Sequence, residues 1–230
     1  MLPKFNYVRP TTINEALNVL NDRPALIHGG GTDLVGCLRD GVFGAETVVS
    51  LAALAELRGI RPANGGLHIG ALTTIAEVAS DPGIRERFTG LSEAAAAVAS
   101  PQLRNQGTIG GNLCQKPRCW YYRGDFDCLR KGGEKCFAYE GENRYHCIFG
   151  GNMCYIVHPS NLAPALHACN ATVHLIGGER DVLQPAGLLR EVIVERCDAS
   201  FDLGAKAFAT GAFIEVLQIL RILTPMAETH

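Results

Sequence analysis

The chain has 230 residues and a formal net charge of −2, with 47% hydrophobic and 19% charged residues. That balance excludes a disordered or fibrous chain, and it excludes a nucleic-acid binder that works through bulk positive charge. No apolar run reaches about 18 residues, so no membrane span is expected. The length predicts one to two domains, about 1.5 by the usual prior. The 26 glycines are a mild excess over the ordinary ~7%, as expected where backbone turns tightly or approaches a ligand.

Taken in chain order, Thr12-Ile13-Asn14-Glu15 is a capping-box pattern opening a helix that carries Ala16, Leu17, Val19 and Leu20. Pro24 ends it. Ala25-Leu26-Ile27 reads as a short strand running into Gly29-Gly30-Gly31, and Thr47-Val48-Val49 reads as a second. Leu57 to Ile60 and Leu67 to Ile69 predict a strand pair turning at Asn64-Gly65-Gly66. Thr74-Ile75-Ala76-Glu77 offers a second capping box, and Asp81-Pro82 starts a further helix. Ser92 to Ser100 is alanine-rich and predicted helical up to Pro101. Gln106 to Asn112 reads as a small-residue loop.

Beyond it, residues 114 to 154 hold cysteines and aromatics with no clean period, as expected of an insertion not organised by an ordinary apolar core. Tyr155-Ile156-Val157 predicts a strand, Ser160 a cap for a helix through Leu166, and Ala171 to Ile176 a last strand ending at Gly177-Gly178. Phe213, Ile214, Val216, Leu217, Leu220 and Leu223 share one face of an expected amphipathic helix.

Two segments point to an anionic ligand. His28-Gly29-Gly30-Gly31-Thr32-Asp33-Leu34 follows a strand, and its glycines let backbone N–H groups converge on a phosphate. It is neither a GxGxxG fingerprint, because the third glycine and its helix are missing, nor a P-loop, because no Gly-Lys-Ser/Thr follows. Taken alone it also reads as a plain tight turn. Thr108-Ile109-Gly110-Gly111-Asn112 is similar, and Gly70-Ala71-Leu72-Thr73-Thr74 adds a third small-residue loop. Together they suggest a dinucleotide held by backbone from several loops.

Six of the nine cysteines lie between Cys114 and Cys154. The start, MLPKFNYVRP, carries no apolar secretory core, so a reducing cytosol is expected and metal ligation is favoured over disulfides. From Cys119 the spacing runs nine, eight, eleven and seven positions to Cys154. No C-x2-C pair occurs, which disfavours a zinc finger, and the bacterial ferredoxin spacing is absent. A folded loop can still gather four thiolates around a 4Fe–4S cluster. Lys116, Arg118, Arg123, Arg130, Lys131 and Lys135 would offset its charge, and Trp120, Tyr121, Tyr122, Phe126 and Phe137 would shield it. Free buried cysteines or a zinc site are the other readings. His28 and His158 read as structural; Cys37, Cys169 and Cys197 read as core fillers.

In this order, Gly30-Gly31-Thr32-Asp33-Leu34, Ile69 to Thr74, Gln102-Leu103-Arg104-Asn105 through Asn112, and His158-Pro159-Ser160 through Leu166 resemble the FAD-binding medium subunits of the molybdenum hydroxylases, the xanthine dehydrogenase family. The resemblance covers roughly residues 3 to 178. Arg118-Cys119-Trp120-Tyr121-Tyr122, Asn143-Arg144-Tyr145-His146 and Cys154 resemble its branch with an extra 4Fe–4S cluster, which includes aldehyde oxidoreductase FAD-binding subunits and the beta subunit of 4-hydroxybenzoyl-CoA reductase.

This resemblance implies an α+β fold of the vanillyl-alcohol-oxidase (PCMH) type. One FAD-binding domain would run from 1 to 178, as subdomains of about 1–54 and 55–178, with an iron–sulfur insertion at about 114–154. Residues 179–230 would be the remnant of a truncated C-terminal domain. FAD would be held by Ile27, His28, Gly29, Gly30, Gly31, Thr32, Asp33 and Leu34, by Thr108, Gly110, Gly111 and Asn112, and by Ser160 and Asn161. The cluster ligands would be Cys119, Cys128, Cys136 and Cys154, leaving Cys147 spare.

Asn161 stands where the family usually has Asp, which removes a carboxylate from the flavin pocket. The implied function is electron transfer, with a large molybdenum-cofactor subunit and a small 2Fe–2S subunit as partners and an aldehyde or aromatic as substrate. No side chain of this chain need act as acid or base. The alternatives are a reductive 4-hydroxybenzoyl-CoA reductase-like subunit, an assembly subunit that has lost FAD, and a zinc-binding interaction module. The expected compartment is the cytoplasm, or the periplasm by export with a partner.

Overall fold

The computed structural model describes residues 1–63, 66–149, 151, 154–176, 182–183 and 217–219. Strands β1 (Asn6–Val8), β2 (Leu26–His28) and β3 (Thr47–Ser50) form a parallel sheet in the order β1-β3-β2. Helix α1 (Ile13–Asp22) joins β1 to β2, and α2 (Leu34–Arg39) joins β2 to β3. Thr12 Oγ1 accepts from the Glu15 amide (3.2 Å), as the capping pattern predicts. The Glu15 carboxylate instead reaches the Thr11 amide (2.8 Å), so the reciprocal half of the box closes one residue early. Ala16 is fully buried against a cluster with Val49, Leu51, Leu54, Leu57 and Leu72, and this apolar face holds α1 on the sheet.

Strand β4 (Ile60–Ala63) pairs antiparallel with β5 (Gly66–Ile69). Leu57, expected in the first of these strands, lies in a 3-10 turn (Ala55–Leu57). Its carbonyl is taken by the Leu72 amide (2.8 Å) and Gly59 turns the chain at φ +88, so the strand starts only after that turn.

Helices α3 (Ile75–Ser80), α4 (Pro82–Arg87), α5 (Thr89–Ala96) and α6 (Pro101–Gln106) follow. Thr74 and Glu77 complete a capping box, and Asp81 caps α4 with Pro82 in its first turn, both as expected. The alanine-rich helix begins three residues before the expected Ser92 and stops at Ala96. The chain turns at Ala99 (φ +41), and Ser100 then caps a new helix opened by Pro101. Alanine propensity yields there to a cap and a proline that serve the next element.

Two corrections bear on the site. Ile109–Leu113, expected as loop, is a one-turn helix, α7, capped by Thr108. Tyr155-Ile156-Val157, expected as a strand, has no strand partner among the described residues. The Tyr155 carbonyl accepts from the Cys147 amide (2.8 Å), which ties this backbone into the insertion. The insertion itself holds α8 (Trp120–Arg123) and a 3-10 turn (Leu129–Lys131).

Helix α9 (Leu162–Ala168) and β6 (Val173–Ile176) follow, and β6 pairs antiparallel with β7 (Val182–Leu183) and β8 (Leu217–Ile219). Leu217–Ile219 therefore corrects the amphipathic helix expected there. An apolar run this short fits either period, and pairing with β6 decides it. The rest of that helix, Gly177-Gly178, Cys197 and most of 179–230 lie outside the described residues. The main core gathers Ile69, Val78, Ile84, Leu91, Ile109 and Leu162 between β5 and the helices. No described helix is long and apolar enough to cross a membrane.

Candidate functional site

The two glycine-bearing loops meet. Gln106 Nε2 donates to the Gly30 carbonyl (3.1 Å), and a Cβ on Gly30 would sit 2.0 Å from the Gln106 carbonyl oxygen. Only glycine lets the backbones approach so closely. Gly31 has φ +74, and a Cβ there would also strike His28 Nε2 at 2.4 Å. The His28 ring thus lies over the loop, with Nδ1 buried and lacking a hydrogen-bond partner. Burial pushes its pKa below the ordinary value, so the ring is held neutral.

The loop runs directly into α2, which corrects the expectation that no helix follows it. Ile27 packs its side chain into the apolar cluster under the sheet, and Leu34 is the first residue of α2.

The second loop is held from behind. Ile109 donates to the Thr73 carbonyl and Gly110 to the Ala71 carbonyl (both 2.9 Å), while Ile75 donates to the Gly107 carbonyl (2.9 Å). Ala71, Leu72 and Thr73 are buried. Gly70–Thr74, expected as a third lining loop, therefore supports the second one instead. Thr108 Oγ1 accepts from the Gly111 amide (3.1 Å) and fixes the turn.

The cleft between the loops has a volume of about 230 Å³, with Thr32 and Asp33 on one wall and Thr108, Gly111, Asn112 and Asn161 on the other. Ser160 Oγ donates to Asn112 Oδ1 (2.5 Å) and accepts from the Ala163 amide (3.1 Å), so it caps α9 while orienting the cleft amide. His158 Nε2 lies 3.0 Å from the Leu113 carbonyl and Nδ1 accepts from the Ser160 amide (3.2 Å). This geometry requires a neutral ring, and burial pushes its pKa down to match. Arg118 also lines the cleft, paired with Asp33. The Ile109, Gly110 and Gly111 amides are already bonded within the protein, so a phosphate here would rely on the first loop's backbone and on Arg118.

The insertion brings thiols together from separated segments. Cys119 lies within electrostatic range of Cys128 and Cys136, Cys128 of Cys154, and Cys147 of both Cys136 and Cys154. Burial pushes the Cys119 and Cys128 thiols up, and the neighbouring thiols add to the effect. No group of three or more His, Cys, Asp or Glu among the described residues is close enough to hold a single metal ion. A four-iron cube needs its sulfurs further apart than a single ion does.

Arg130 Nε donates to Cys154 Sγ (3.3 Å) and His146 Nε2 lies 3.2 Å from Cys119 Sγ. The aromatics expected as a shield interlock: Tyr121 packs edge-on to Trp120 and Phe126, and stacks on Phe137. Tyr122 is buried beneath them beside Cys37 and Cys128, and burial pushes its phenol up to about 12.

The basic residues of the insertion are mostly committed elsewhere than the thiols. Arg123 and Arg118 pair with Asp33, Lys131 Nζ donates to the Gly124 carbonyl, and Lys135 lies over the Phe137 ring. The partnership of Asp33 with Arg118 and Arg123 was not foreseen from sequence. An acidic residue beside a phosphate-type loop calls for a neutralising cation, and that was the available signal. Cys37 is fully buried, as expected of a core filler, and Cys169 is half-buried against the main core.

Residues 3–125 match the family described as "FAD binding domain in molybdopterin dehydrogenase". The chain is 34% identical over 179 residues to the "Aldehyde oxidoreductase FAD-binding subunit PaoB" of Escherichia coli (strain K12), covering 76% of this chain and 56% of that one. It is 42% identical over 112 residues to the "Nicotinate dehydrogenase FAD-subunit" of Eubacterium barkeri, covering 47% of this chain and 38% of that one. Among solved structures it resembles a chain of reconstituted CO dehydrogenase from Oligotropha carboxidovorans at 20% identity and a TM-score of 0.59, over 80% of this chain and 52% of that chain. That likeness is one of fold alone. The chain spans roughly 38% to 56% of the length of these curated relatives.

Proposed function

Because the chain belongs to the family of FAD-binding domains of molybdopterin dehydrogenases, we propose that it is an electron-transfer subunit of a molybdenum-containing oxidoreductase. The observation that carries this is the contact of the two glycine loops at Gly30 and Gln106, beside a cleft lined by Thr32, Asp33, Thr108 and Gly111 and by Asn112, which Ser160 orients. FAD would be held there, with its pyrophosphate on the Gly29–Asp33 and Thr108–Asn112 backbones and Ser160 and Asn161 toward the ring system. The fold would be of the vanillyl-alcohol-oxidase (PCMH) type. FAD supplies a ring system that accepts electrons singly and releases them as a pair; the protein supplies binding and orientation.

Partners would be a large molybdenum-cofactor subunit and a small 2Fe–2S subunit, with electrons passing from them to an acceptor. The named relatives are subunits of aldehyde and nicotinate enzymes, which favours an aldehyde or aromatic substrate. The insertion would hold a 4Fe–4S cluster through Cys119, Cys128, Cys136 and Cys154. Three features support the fit: thiols gathered from separated segments, Arg130 directed at the Cys154 sulfur, and the aromatic shell. Hydrogen bonds and burial of this kind tune a cluster's potential.

The test is a visible spectrum of anaerobically purified protein with iron, zinc and FAD measured on the same sample. Near one FAD and about four irons per chain are expected. Iron without flavin would move the reading to an assembly subunit, and zinc without iron or flavin would overturn it. Cys128→Ser should remove the iron and Cys147→Ser should not; unchanged iron in the first would overturn the ligand assignment.

A further inference from the structure

We propose that Asp33 is the positioning residue through which the cysteine insertion fixes the phosphate-binding loop, so that FAD affinity depends on the metal state of the insertion. This rests on the functional reading above for FAD on the Gly29–Asp33 loop and for a cluster in the insertion. The loop ends at Asp33, and its carboxylate is occupied from the insertion side. Oδ2 accepts from the Lys116 amide (2.7 Å), and Oδ1 meets Arg123 Nη2 (2.7 Å) and Arg118 Nη1 (3.1 Å). The Asp33 side chain is only 15% exposed, so these charge-assisted bonds work in a partly dry setting. Arg123 also donates to the Pro117 carbonyl (2.7 Å) and the Lys116 carbonyl (3.2 Å). One guanidinium therefore closes the first turn of the insertion onto the loop.

A second contact lies one helical turn further on. Cys37 donates its amide to the Asp33 carbonyl (3.0 Å) and has no exposed surface. It packs in a small cluster with Val42, Tyr122 and Cys128. Helix α2 is thus gripped by the insertion both at its start and along its buried side, and the second grip includes an expected cluster ligand. The insertion has little regular structure of its own among the described residues: α8, one 3-10 turn and an isolated bridge between Cys128 and Lys135. Its order would depend on what joins its thiols. Release of that constraint frees Lys116–Arg123, then Asp33, then the loop. By linkage, FAD and cluster each strengthen retention of the other.

The test is calorimetric titration of FAD into the full-length chain, iron-loaded and after anaerobic iron removal, for wild type and Asp33→Asn. In wild type, iron removal should raise the FAD Kd about tenfold, the scale of one lost charge-assisted contact. In Asp33→Asn the loaded protein should already bind about tenfold more weakly, and iron removal should add nothing further. Arg123→Gln should behave alike and serves as the second variant if Asp33→Asn does not fold. A merely structural role would weaken binding but keep the iron dependence. An unchanged Kd on iron removal in wild type, or a full iron dependence in both variants, overturns the coupling. Wild-type protein that binds no FAD, or holds no iron, overturns the functional reading and the coupling with it.

Discussion

Arg123 Nη2 lies 2.7 Å from Asp33 Oδ1, joining side chains 90 positions apart where the first glycine loop enters α2. Arg118 reaches the same oxygen at 3.1 Å. The two arginines are unequal. Arg123 is 22% exposed and makes two further bonds to backbone carbonyls, whereas Arg118 is 55% exposed.

From that inequality, Arg123→Ala should destabilise the fold by about 1.5–3 kcal/mol, because two carbonyls and a carboxylate lose a charged donor. Arg118→Ala should cost under about 1 kcal/mol, the range of an exposed ion pair. Urea denaturation of both variants checks this. Equal midpoint shifts would mean that Arg123's extra bonds contribute nothing.

Gly31→Ala should be more damaging than an ordinary glycine replacement. A left-handed backbone costs an L-residue roughly 1–2 kcal/mol, and here φ is +74 with His28 Nε2 in the way of the new methyl group. Gly36→Ala lies in α2 with nothing within 4 Å of the new Cβ, and it should stabilise by about 0.5–1 kcal/mol. Thermal melts of the pair should move in opposite directions. A Gly31→Ala protein as stable as wild type would show that the loop is not locked in this conformation.

Much of this architecture was legible in the sequence, and the failures share a cause. Thr12, Thr74 and Asp81 marked helix starts because a side-chain oxygen three residues before an amide is a local signal. The glycine loops were legible as places of close backbone approach, and Ser160 as a cap. What stayed hidden was decided by distant partners. Ile109–Leu113 looks like loop because two glycines weaken it; buried packing and the amides answering Ala71 and Thr73 make it helical. Tyr155–Val157 has strand composition, yet its carbonyl is claimed by Cys147. The Asp33 network spans 83 to 90 positions, which no local period reveals.

Acid should destabilise the protein through His28 and His158. His28 and His158 both have pKa values pushed down chiefly by burial. Above the unfolded value, near 6.5, neither state binds the proton, so stability is flat with respect to these groups. As pH falls below it the unfolded chain takes up protons that the folded chain resists. Stability therefore drops toward the lower folded pKa. His158 protonation would also turn Nδ1 into a donor facing the Ser160 amide, loosening the bond that orients Asn112. Urea midpoints at pH 7.5 and 5.5 should fall with acidification, and His158→Gln should flatten the fall. An identical slope in that variant would remove His158 from the account.

Asn161→Asp separates the fold from the flavin. Asn161 stands at the start of α9, makes no capping hydrogen bond and lines the cleft beside Asn112. A carboxylate there would meet the positive end of the helix, worth about 0.3–1 kcal/mol of stability. The same charge would oppose the negative charge that a reduced flavin gains. The two-electron potential of bound FAD should therefore fall, by roughly 30 mV for about 1.4 kcal/mol of added repulsion. The expected outcome is a variant that melts higher without FAD and carries a flavin that is harder to reduce. A raised melting point with an unmoved potential would place Asn161 at the helix cap but away from the flavin ring. A lowered melting point would show that the amide makes a bond the carboxylate cannot replace.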